Sequence, residues 1–300
     1  MNILITGGSG LIGFHLTVLL QTKGHKVGHL GRSKPAGNDV RQFIWNPEKD
    51  FIEEGAVSWA DAIVHLAGAN VAEGRWTAKR KAEIISSREN SARLIATAIV
   101  KEKAKTKVFV SAAAVGWYGM ITSDKIFSEN DPSANDFFGT VCLKWENAAD
   151  LLSEAGLRVV KLRIGIVLAK EGGALPQLAA PVKWFVGSPL GSGKQWMPWI
   201  HIDDLCLLFL KAIEDDSMHD VYNAATDQQV TNKEFVRTIG KVLHRAVFFP
   251  NVPKFILKLM LGEMSGIVTE GSRVSNAKLL KTGFVFKYNK LEEAIRQLLK

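Results

Sequence analysis

The stretch ILITGGSGLIG, residues 3–13, decides the fold. It joins a short apolar run, Asn2–Thr6, which predicts a β-strand, to the stretch Leu11–Lys23, which predicts a helix ended by Gly24. Three glycines stand at intervals of three residues across the turn and the start of the helix: Gly7, Gly10 and Gly13. A strand, a glycine-rich turn and a helix in this order are typical of an α/β domain.

Strands and helices continue to alternate beyond this unit. Further strands are predicted at Lys26–Leu30, Ala62–Leu66, Lys107–Ser111, Arg158–Arg163 and Val221–Asn223. Helices are predicted at Lys79–Val100, Leu143–Ala155, Asp203–Ile213 and Thr231–Leu243, the last opened by a capping box of Thr231 and Glu234. Because near-continuous apolar strands that alternate with helices form sheets covered on both faces, the sequence predicts an α/β fold with a Rossmann-type, doubly wound parallel sheet.

The second half of the chain departs from this pattern. Gly172–Pro198 is rich in glycine, proline and tryptophan and is predicted to be loop and lid, and the chain after Leu243 is predicted to be helical and basic. We expect a Rossmann domain of residues 1–170 and 200–228, and a smaller, mostly helical substrate-side domain of residues 171–199 and 229–300.

Composition excludes several classes of protein. Hydrophobic residues make up 47% and charged residues 23% of the chain, which is globular and not disordered, collagen-like or coiled-coil. The two cysteines, Cys142 and Cys206, form no CxxC pair or Cys/His cluster, so we expect no metal site and no disulfide framework. With neither a signal peptide nor a run of about 18 apolar residues, a cytoplasmic location is expected.

The basic charge is confined to one part of the chain. Residues 231–300 hold 13 Lys+Arg and 5 Asp+Glu, whereas residues 1–230 hold 25 of each. An anionic substrate, a nucleic acid or a membrane surface would each suit such charge. We favour solvated faces of amphipathic helices, because the basic residues alternate singly with apolar ones and no nucleic-acid motif is present. The expected partner is therefore a small molecule, anionic or sugar-nucleotide-like, without membrane or nucleic acid, and a homodimer is left open.

The glycine stretch predicts a dinucleotide site. A pyrophosphate is bound by backbone N–H groups at a helix N-terminus, and glycines are needed where side chains would block that approach. The predicted phosphate-binding residues are Gly7, Gly8, Ser9, Gly10, Leu11, Ile12 and Gly13. The alternative is a glycine turn that binds nothing.

The end of the second strand predicts which dinucleotide is bound. The strand ends in Gly31-Arg32-Ser33, where NAD-binding proteins carry a carboxylate for the ribose 2′-OH. A guanidinium and a hydroxyl suit a 2′-phosphate instead, so we predict NADP(H), with a solvated loop arginine as the alternative. Leu66-Ala67-Gly68 closes a later strand with small residues and is predicted to face the adenine-ribose side.

Four segments together resemble the extended short-chain dehydrogenase/reductase superfamily, in its NAD(P)-dependent sugar-nucleotide epimerase/dehydratase branch. They are Gly7–Gly13, Asp61–Gly68, Leu162–Leu168 and Trp199–Leu205. More narrowly, Arg75-Trp76, Ser87-Arg88 and Ala114–Gly119 resemble an atypical subgroup known as epimerase family proteins.

This resemblance implies an NADP-binding extended Rossmann fold with no agreed substrate. It implies that Leu66, Ala67, Glu83, Arg88 and Val167 line the cofactor beside Arg32, with Ser111 on the same side. It also places the substrate cleft near Arg75, Trp76, Trp196 and His201.

The acid/base pair of the superfamily is missing. Its members use a Tyr four residues before a Lys, but the residues four positions after the three tyrosines are Thr122, Thr226 and Glu292. The family's spacing places Phe138 and Cys142 at the Tyr and Lys positions, and Ala113 at the hydroxyl position.

Tyr118 is the candidate alternative acid/base, since it follows the fifth strand at the edge of the sheet where ligands bind. It could equally be an aromatic in the cleft wall, and His201 could orient a substrate or make a structural hydrogen bond. Trp196 could stack on a ligand or join the two domains.

Two functions follow from these observations. The chain is either an NADP(H)-dependent oxidoreductase or epimerase of unknown substrate, or a non-catalytic protein that senses NADP(H).

Overall fold

A computed structural model describes residues 1–33 and 40–300. The strands are β1 (Asn2–Thr6), β2 (Lys26–Gly31), β3 (Arg41–Asn46), β4 (Phe51–Ile52), β5 (Ala62–His65), β6 (Val108–Ala114), β7 (Ile126–Phe127), β8 (Arg158–Ile164), β9 (Ile166–Leu168), β10 (Trp199–His201), β11 (Asp220–Ala224) and β12 (Arg273–Val274). The helices are α1 (Leu11–Thr22), α2 (Ala78–Glu102), α3 (Phe137–Glu154), α4 (Ala174–Lys183), α5 (Ile202–Glu214), α6 (Asn232–Leu243), α7 (Lys254–Leu261), α8 (Gly266–Thr269), α9 (Ala277–Leu280) and α10 (Leu291–Leu299).

Eight of the strands form one sheet, in the order β11-β8-β6-β5-β1-β2-β3-β4. Every neighbouring pair is parallel except β3 and β4. The strand order reverses at β1, which lies between β2 and β5, and open α/β sheets bind ligands at such a switch point. The predicted Rossmann-type sheet is confirmed.

The predicted start of α3 was six residues too late. The helix begins at Phe137, because the Asp136 carboxylate accepts a hydrogen bond from the Gly139 N–H and caps it. A Cβ on Gly139 would lie 2.0 Å from the carbonyl oxygen of Ala134, so only glycine fits this first turn. A glycine inside the first turn weakens a helical pattern in the sequence, which is why the prediction began at Leu143.

The prediction of loop throughout Gly172–Pro198 was wrong, because it contains α4. Leu175, Ala179 and Val182 are buried along one face of this helix, at the spacing of an amphipathic helix. Pro181 lies near the end of the helix, where the loss of one backbone donor interrupts little regular structure. Its two prolines, Pro176 and Pro181, and the flanking glycines had favoured the prediction of a loop.

The C-terminal part folds against the sheet domain. Thr231 and Glu234 form the predicted capping box of α6, and α10 lies against both α6 and β9. One continuous cluster of buried apolar side chains contains Ile3 and Leu162 of the sheet together with Ile239 and Ile295 of the tail. The division into two domains therefore stays a prediction. In the parts of the chain that the structure describes, no helix is long and apolar enough to cross a membrane.

Candidate functional site

The glycine loop is shaped by backbone contacts that exclude side chains. Gly7 has a φ of +70°, and a Cβ on it would lie 3.2 Å from the Ala67 nitrogen at the end of β5. A Cβ on Gly13 would lie 2.4 Å from the Gly7 carbonyl oxygen, so α1 begins directly against the loop. Gly8 is buried against the ring of His29.

The N-terminus of α1 is open to a ligand. Gly10 is the N-cap residue, and it has no side chain to satisfy the first N–H groups of the helix. Ser9 and Gly10 are exposed, Leu11 and Ile12 are partly exposed, and the first turn contains no acidic residue. Unpaired N–H groups and the positive end of the helix dipole make this turn suited to a phosphate group.

A buried hydrogen-bond chain fixes the end of β5 beside this loop. The Thr6 hydroxyl accepts from the N–H groups of Leu66 and Ala67, each at 3.1 Å, and lies 2.9 Å from His65 Nδ1. His65 Nε2 lies 3.0 Å from the Ser91 hydroxyl, which donates to the Arg88 carbonyl. Burial, together with the nearby Arg88 charge, lowers the pKa of His65 to about 3. The imidazole is therefore neutral and structural, and it holds Leu66-Ala67-Gly68 in place.

Arg32 lies at the end of β2 with its guanidinium in solvent. Both Arg32 and Ser33 are exposed, and within the described chain the Arg32 side chain has no ion pair or hydrogen bond. The partly exposed Gly31 ends the strand. None of the described residues that end this strand, Gly31, Arg32 and Ser33, is a carboxylate, so the charge they offer is positive.

Arg88 carries a buried positive charge next to Gly68. Its Nη1 donates to the carbonyl oxygens of Ala69 and Ile84, at 3.1 and 2.8 Å, and its guanidinium lies 4.5 Å from the centre of the Trp145 ring. Its Nε is buried without a partner among the described residues. Burial lowers the pKa of Arg88 to about 10, so the side chain still carries its charge at neutral pH.

The other cofactor-side residues are more scattered. Glu83 is exposed on α2 and forms an ion pair with Arg80 at 2.9 Å. Ser111 is buried in β6, where its hydroxyl donates to the Ala112 carbonyl. Val167 of β9 is half-buried, and its carbonyl oxygen lies 3.2 Å from where Gly173 would place a Cβ. The cofactor-binding roles of Glu83, Ser111 and Val167 stay predictions. The Ser111 hydroxyl is turned to the protein backbone.

A cavity of about 400 Å³ lies beside these elements. Its walls come from the turn after β6, from β9 and α4, from the segment Ser188–Pro198, and from α6 and Gly266–Ser272. A cavity of this volume, lined mostly by apolar groups with a few polar ones, is typical of a small-molecule site. It lies at the carboxyl end of β6 and is the candidate substrate site.

Of the four predicted substrate-side residues, Trp196 alone is part of the cavity wall. Its indole N–H donates to the Ser123 carbonyl at 3.0 Å, which fixes the ring. Arg75 donates instead to the Leu259 carbonyl at the end of α7, and Trp76 is buried against Phe137 and Phe138. Trp76 therefore supports the wall from behind.

His201 is a structural residue. It is fully buried, its Nδ1 accepts from the Asp203 N–H and caps α5, and its Nε2 lies 3.0 Å from Gln297 Oε1. The ring lies 4.0 Å from that of Tyr288, and burial lowers the pKa of the imidazole. It does not line the cavity, so the predicted substrate-orienting role does not fit this geometry.

Tyr118 does not fit the acid/base role either. Its hydroxyl donates to Asn223 Oδ1 at 2.7 Å and accepts from Arg163 Nη1 at 3.0 Å, so both of its hydrogen-bonding roles are filled. The side chain is buried, its ring is stacked on Phe127, and it does not line the cavity. Burial raises the pKa of Tyr118 to about 12, which keeps the phenol protonated at neutral pH. The geometry favours a structural role.

The positions that the superfamily uses for acid/base chemistry are also filled by other groups. Phe138 lines the cavity, and Cys142 lies beneath Gly116. Burial raises the pKa of the Cys142 thiol to about 12, so it is neither a base nor a thiolate nucleophile at neutral pH. Glu270 is the single ionisable side chain among the residues that line the cavity.

Sequence reasoning missed most of the cavity wall. Met120, Gln177 and Glu270 line it, and none belongs to a pattern that indicates function. The glycines near the C-terminus were the one signal of a close approach between segments of this wall. A Cβ on Gly271 would lie 2.0 Å from the Trp196 carbonyl oxygen. The close approach of these two segments closes the cavity. In the described ranges, no cluster of side chains could hold a metal ion.

Comparison with known proteins gives two family matches. Residues 3–225 match the family described as NAD dependent epimerase/dehydratase, and residues 252–298 match a domain of unknown function, DUF1731. Over 302 residues, 100% of this chain and 98% of the relative, the chain is 36% identical to the epimerase family protein YfhF of Bacillus subtilis.

Solved structures agree in fold. The chain is similar to the human epimerase family protein SDR39U1, solved with NADPH, with 33% identity, a TM-score of 0.90 and 99% of each chain covered. It has the same fold as the UDP-glucose 4-epimerase of Thermotoga maritima, solved with UDP-glucose, with 20% identity, a TM-score of 0.79, and 100% and 97% of the two chains covered.

Proposed function

The chain belongs to the NAD dependent epimerase/dehydratase family, and on that premise we propose that it is an NADP(H)-dependent oxidoreductase whose small-molecule substrate occupies the cavity beside α4. The observation that carries the proposal is an uncapped helix N-terminus, on the glycine loop after β1, beside the end of the neighbouring strand β2, where the Arg32 guanidinium has no partner within the described chain. The human relative solved with NADPH supports the choice of cofactor.

The residues present fit this cofactor. The glycines at positions 7, 10 and 13 leave backbone N–H groups of α1 exposed, which suits a pyrophosphate. Arg32 and Ser33 supply a charge and a hydroxyl for a 2′-phosphate. The residues at the end of β2, Gly31-Arg32-Ser33, include no carboxylate that would repel this phosphate.

Bound NADPH supplies a hydride, and bound NADP⁺ accepts one. The chain contributes position and electrostatics: α1 binds the pyrophosphate, the Thr6–His65–Ser91 hydrogen bonds hold the β5 end in place, and Arg88 adds a positive charge beneath Gly68. The described cavity wall offers no tyrosine, lysine or histidine, and its carboxylate, Glu270, is paired with Thr122 and Lys254. The proton that accompanies hydride transfer is therefore exchanged with water.

Titration of the protein with NADPH tests the binding half of the proposal. Tryptophan emission is the readout, since the chain has eight tryptophans. Saturable quenching with energy transfer to the dihydronicotinamide is expected. Absence of saturation at millimolar NADPH would overturn the proposal. The catalytic half is tested by following the loss of NADPH absorbance across panels of carbonyl compounds.

A second function, sensing of NADP(H) without catalysis, is favoured by one observation. Phe138 and Cys142 leave the usual acid/base positions without a group that titrates near neutral pH, and the buried phenol of Tyr118 stays protonated there. A sensor should show protection from limited proteolysis on binding NADPH, without NADPH consumption by any carbonyl panel. Consumption of NADPH that depends on a carbonyl compound would exclude this alternative.

A further inference from the structure

We propose that the substrate group held in the cavity is uncharged and largely apolar, and that it is not the nucleoside diphosphate of a sugar nucleotide. The inference rests on the proposed function and specifies its substrate class. It is carried by the chemistry of the cavity wall, which differs from what a diphosphate requires.

The wall offers no cation. Among the described residues that line it, none is Lys, Arg or His, and the one charged group is the Glu270 carboxylate. Glu270 is already paired, since it accepts from the Thr122 hydroxyl at 2.7 Å and from the Lys254 ammonium. A diphosphate carries at least two negative charges, and an ion taken from water without a charged partner pays a large desolvation cost.

The polar side chains in the wall are turned toward the protein. Gln195 donates to the carbonyl oxygens of Leu190 and Val268, at 3.0 and 2.7 Å, and so joins two sides of the cavity. Asn232 Oδ1 accepts from the Leu190 N–H, and its Nδ2 donates to the sulfur of Met197. Ser272 donates to the Gly119 carbonyl. These groups close the wall and leave few donors for a ligand.

What remains facing the cavity is apolar. Its side chains include Met120, Phe138, Ile166, Leu178, Val236 and Val268. The exposed amide of Gln177 makes no hydrogen bond in the described chain and is the polar group left to orient a carbonyl or hydroxyl. A volume of about 400 Å³ accommodates a ligand at the lower end of the drug-sized range.

The proposed reaction is the reduction of an uncharged carbonyl compound by NADPH. Its carbon gains the hydride and both electrons from NADPH, its oxygen gains one proton from water, and an alcohol, NADP⁺ and hydroxide are released. Aliphatic aldehydes of medium chain length and aryl ketones are compounds of this class.

Binding of Nile red, an uncharged apolar dye, tests the cavity without NADPH. We expect enhanced dye emission, displacement by decanal and no displacement by millimolar UDP-glucose. Leu178→Lys and, separately, Val268→Lys should weaken dye binding at least tenfold, because each adds a charge to an apolar wall. Leu143→Lys makes the same change at an exposed position of α3 and should leave dye binding unchanged.

The outcomes separate the two proposals. Displacement of the dye by UDP-glucose, or equal dye binding by wild type and both cavity variants, would overturn the substrate class while leaving NADPH binding intact. Failure of NADPH to bind would overturn the proposed function, whatever the dye does. With NADPH bound, decanal or an aryl ketone should accelerate the loss of NADPH absorbance more than a nucleoside-diphosphate 4-keto sugar, which offers a carbonyl group on the same molecule as a diphosphate. The reverse order would contradict the inference.

Discussion

Two regions at the carboxyl edge of the sheet differ in whether their polar groups have hydrogen-bond partners. At the ends of β1 and β2, the first turn of α1 has no side-chain cap and Arg32 has no partner in the described chain. At the ends of β6, β8 and β11, Arg163, Glu146, Tyr118 and Asn223 are buried and bonded to one another or to backbone. The fully paired, buried groups are structural, whereas the exposed helix N-terminus and guanidinium are available to an anionic ligand.

The paired region is a closed network. Arg163 forms a two-pronged ion pair with Glu146, at 2.8 and 3.0 Å, and its guanidinium lies 3.8 Å from the centre of the Trp117 ring. Its remaining donors reach the Tyr118 hydroxyl and the Glu129 carbonyl. The cluster lies at the ends of β6, β8 and β11, so in this chain the Tyr118 hydroxyl is part of the core.

The largest effect is expected from breaking the closed network. Arg163→Met should lower the free energy of unfolding by about 3–5 kcal/mol, because it leaves the Glu146 carboxylate buried without a partner. Chemical denaturation measures this loss. In the folded fraction, NADPH affinity should stay within about twofold of wild type, since the described residues of the two regions share no hydrogen bond.

The double variant Arg163→Met/Glu146→Leu is the control for that prediction. It removes both charges and should recover most of the lost stability, because a buried ion pair replaced by apolar groups costs little. An equal loss in the double variant would show that the packing of Arg163 on Trp117, and not the unpaired carboxylate, dominates.

A smaller effect is expected at the open region. Gly13→Ala should cost about 1–3 kcal/mol of stability, since the added methyl meets the Gly7 carbonyl oxygen and forces the loop to shift. NADPH affinity should fall in the same variant. Gly172→Ala is the matched control, because its methyl would make an ordinary contact, 3.6 Å from the Leu11 side chain. Similar behaviour of the two variants would count against a shaped glycine loop.

The smallest effect is expected at Tyr118. Tyr118→Phe removes a hydroxyl from the closed network and should cost on the order of 1 kcal/mol of stability. NADPH affinity and any turnover should remain, because the ring does not line the cavity. Loss of turnover in a variant with near-normal stability and NADPH affinity would restore Tyr118 as the acid/base.

The comparison also explains how far the sequence could be interpreted. The strand–glycine–helix start and the parallel strands were predictable, because apolar runs and glycine spacing are local properties of the chain. The buried state of Tyr118 was not, because it depends on Arg163 and Asn223, 45 and 105 residues away. The cavity was not predictable either: its walls come from separate segments, and α4 was hidden by prolines and glycines.

The central claim is that Arg32, which has no partner in the described chain, binds the 2′-phosphate of NADPH. The most direct test compares the binding of NADPH with that of NADH. Titrations should be run on wild type, Arg32→Ala and Arg237→Ala, the last an exposed arginine on α6. Arg32→Ala should weaken NADPH by about tenfold to a hundredfold and leave NADH unchanged, as expected for loss of a charge-assisted hydrogen bond of about 1.5–3 kcal/mol. Arg237→Ala should change neither. Equal weakening of NADPH and NADH by Arg32→Ala would contradict the account.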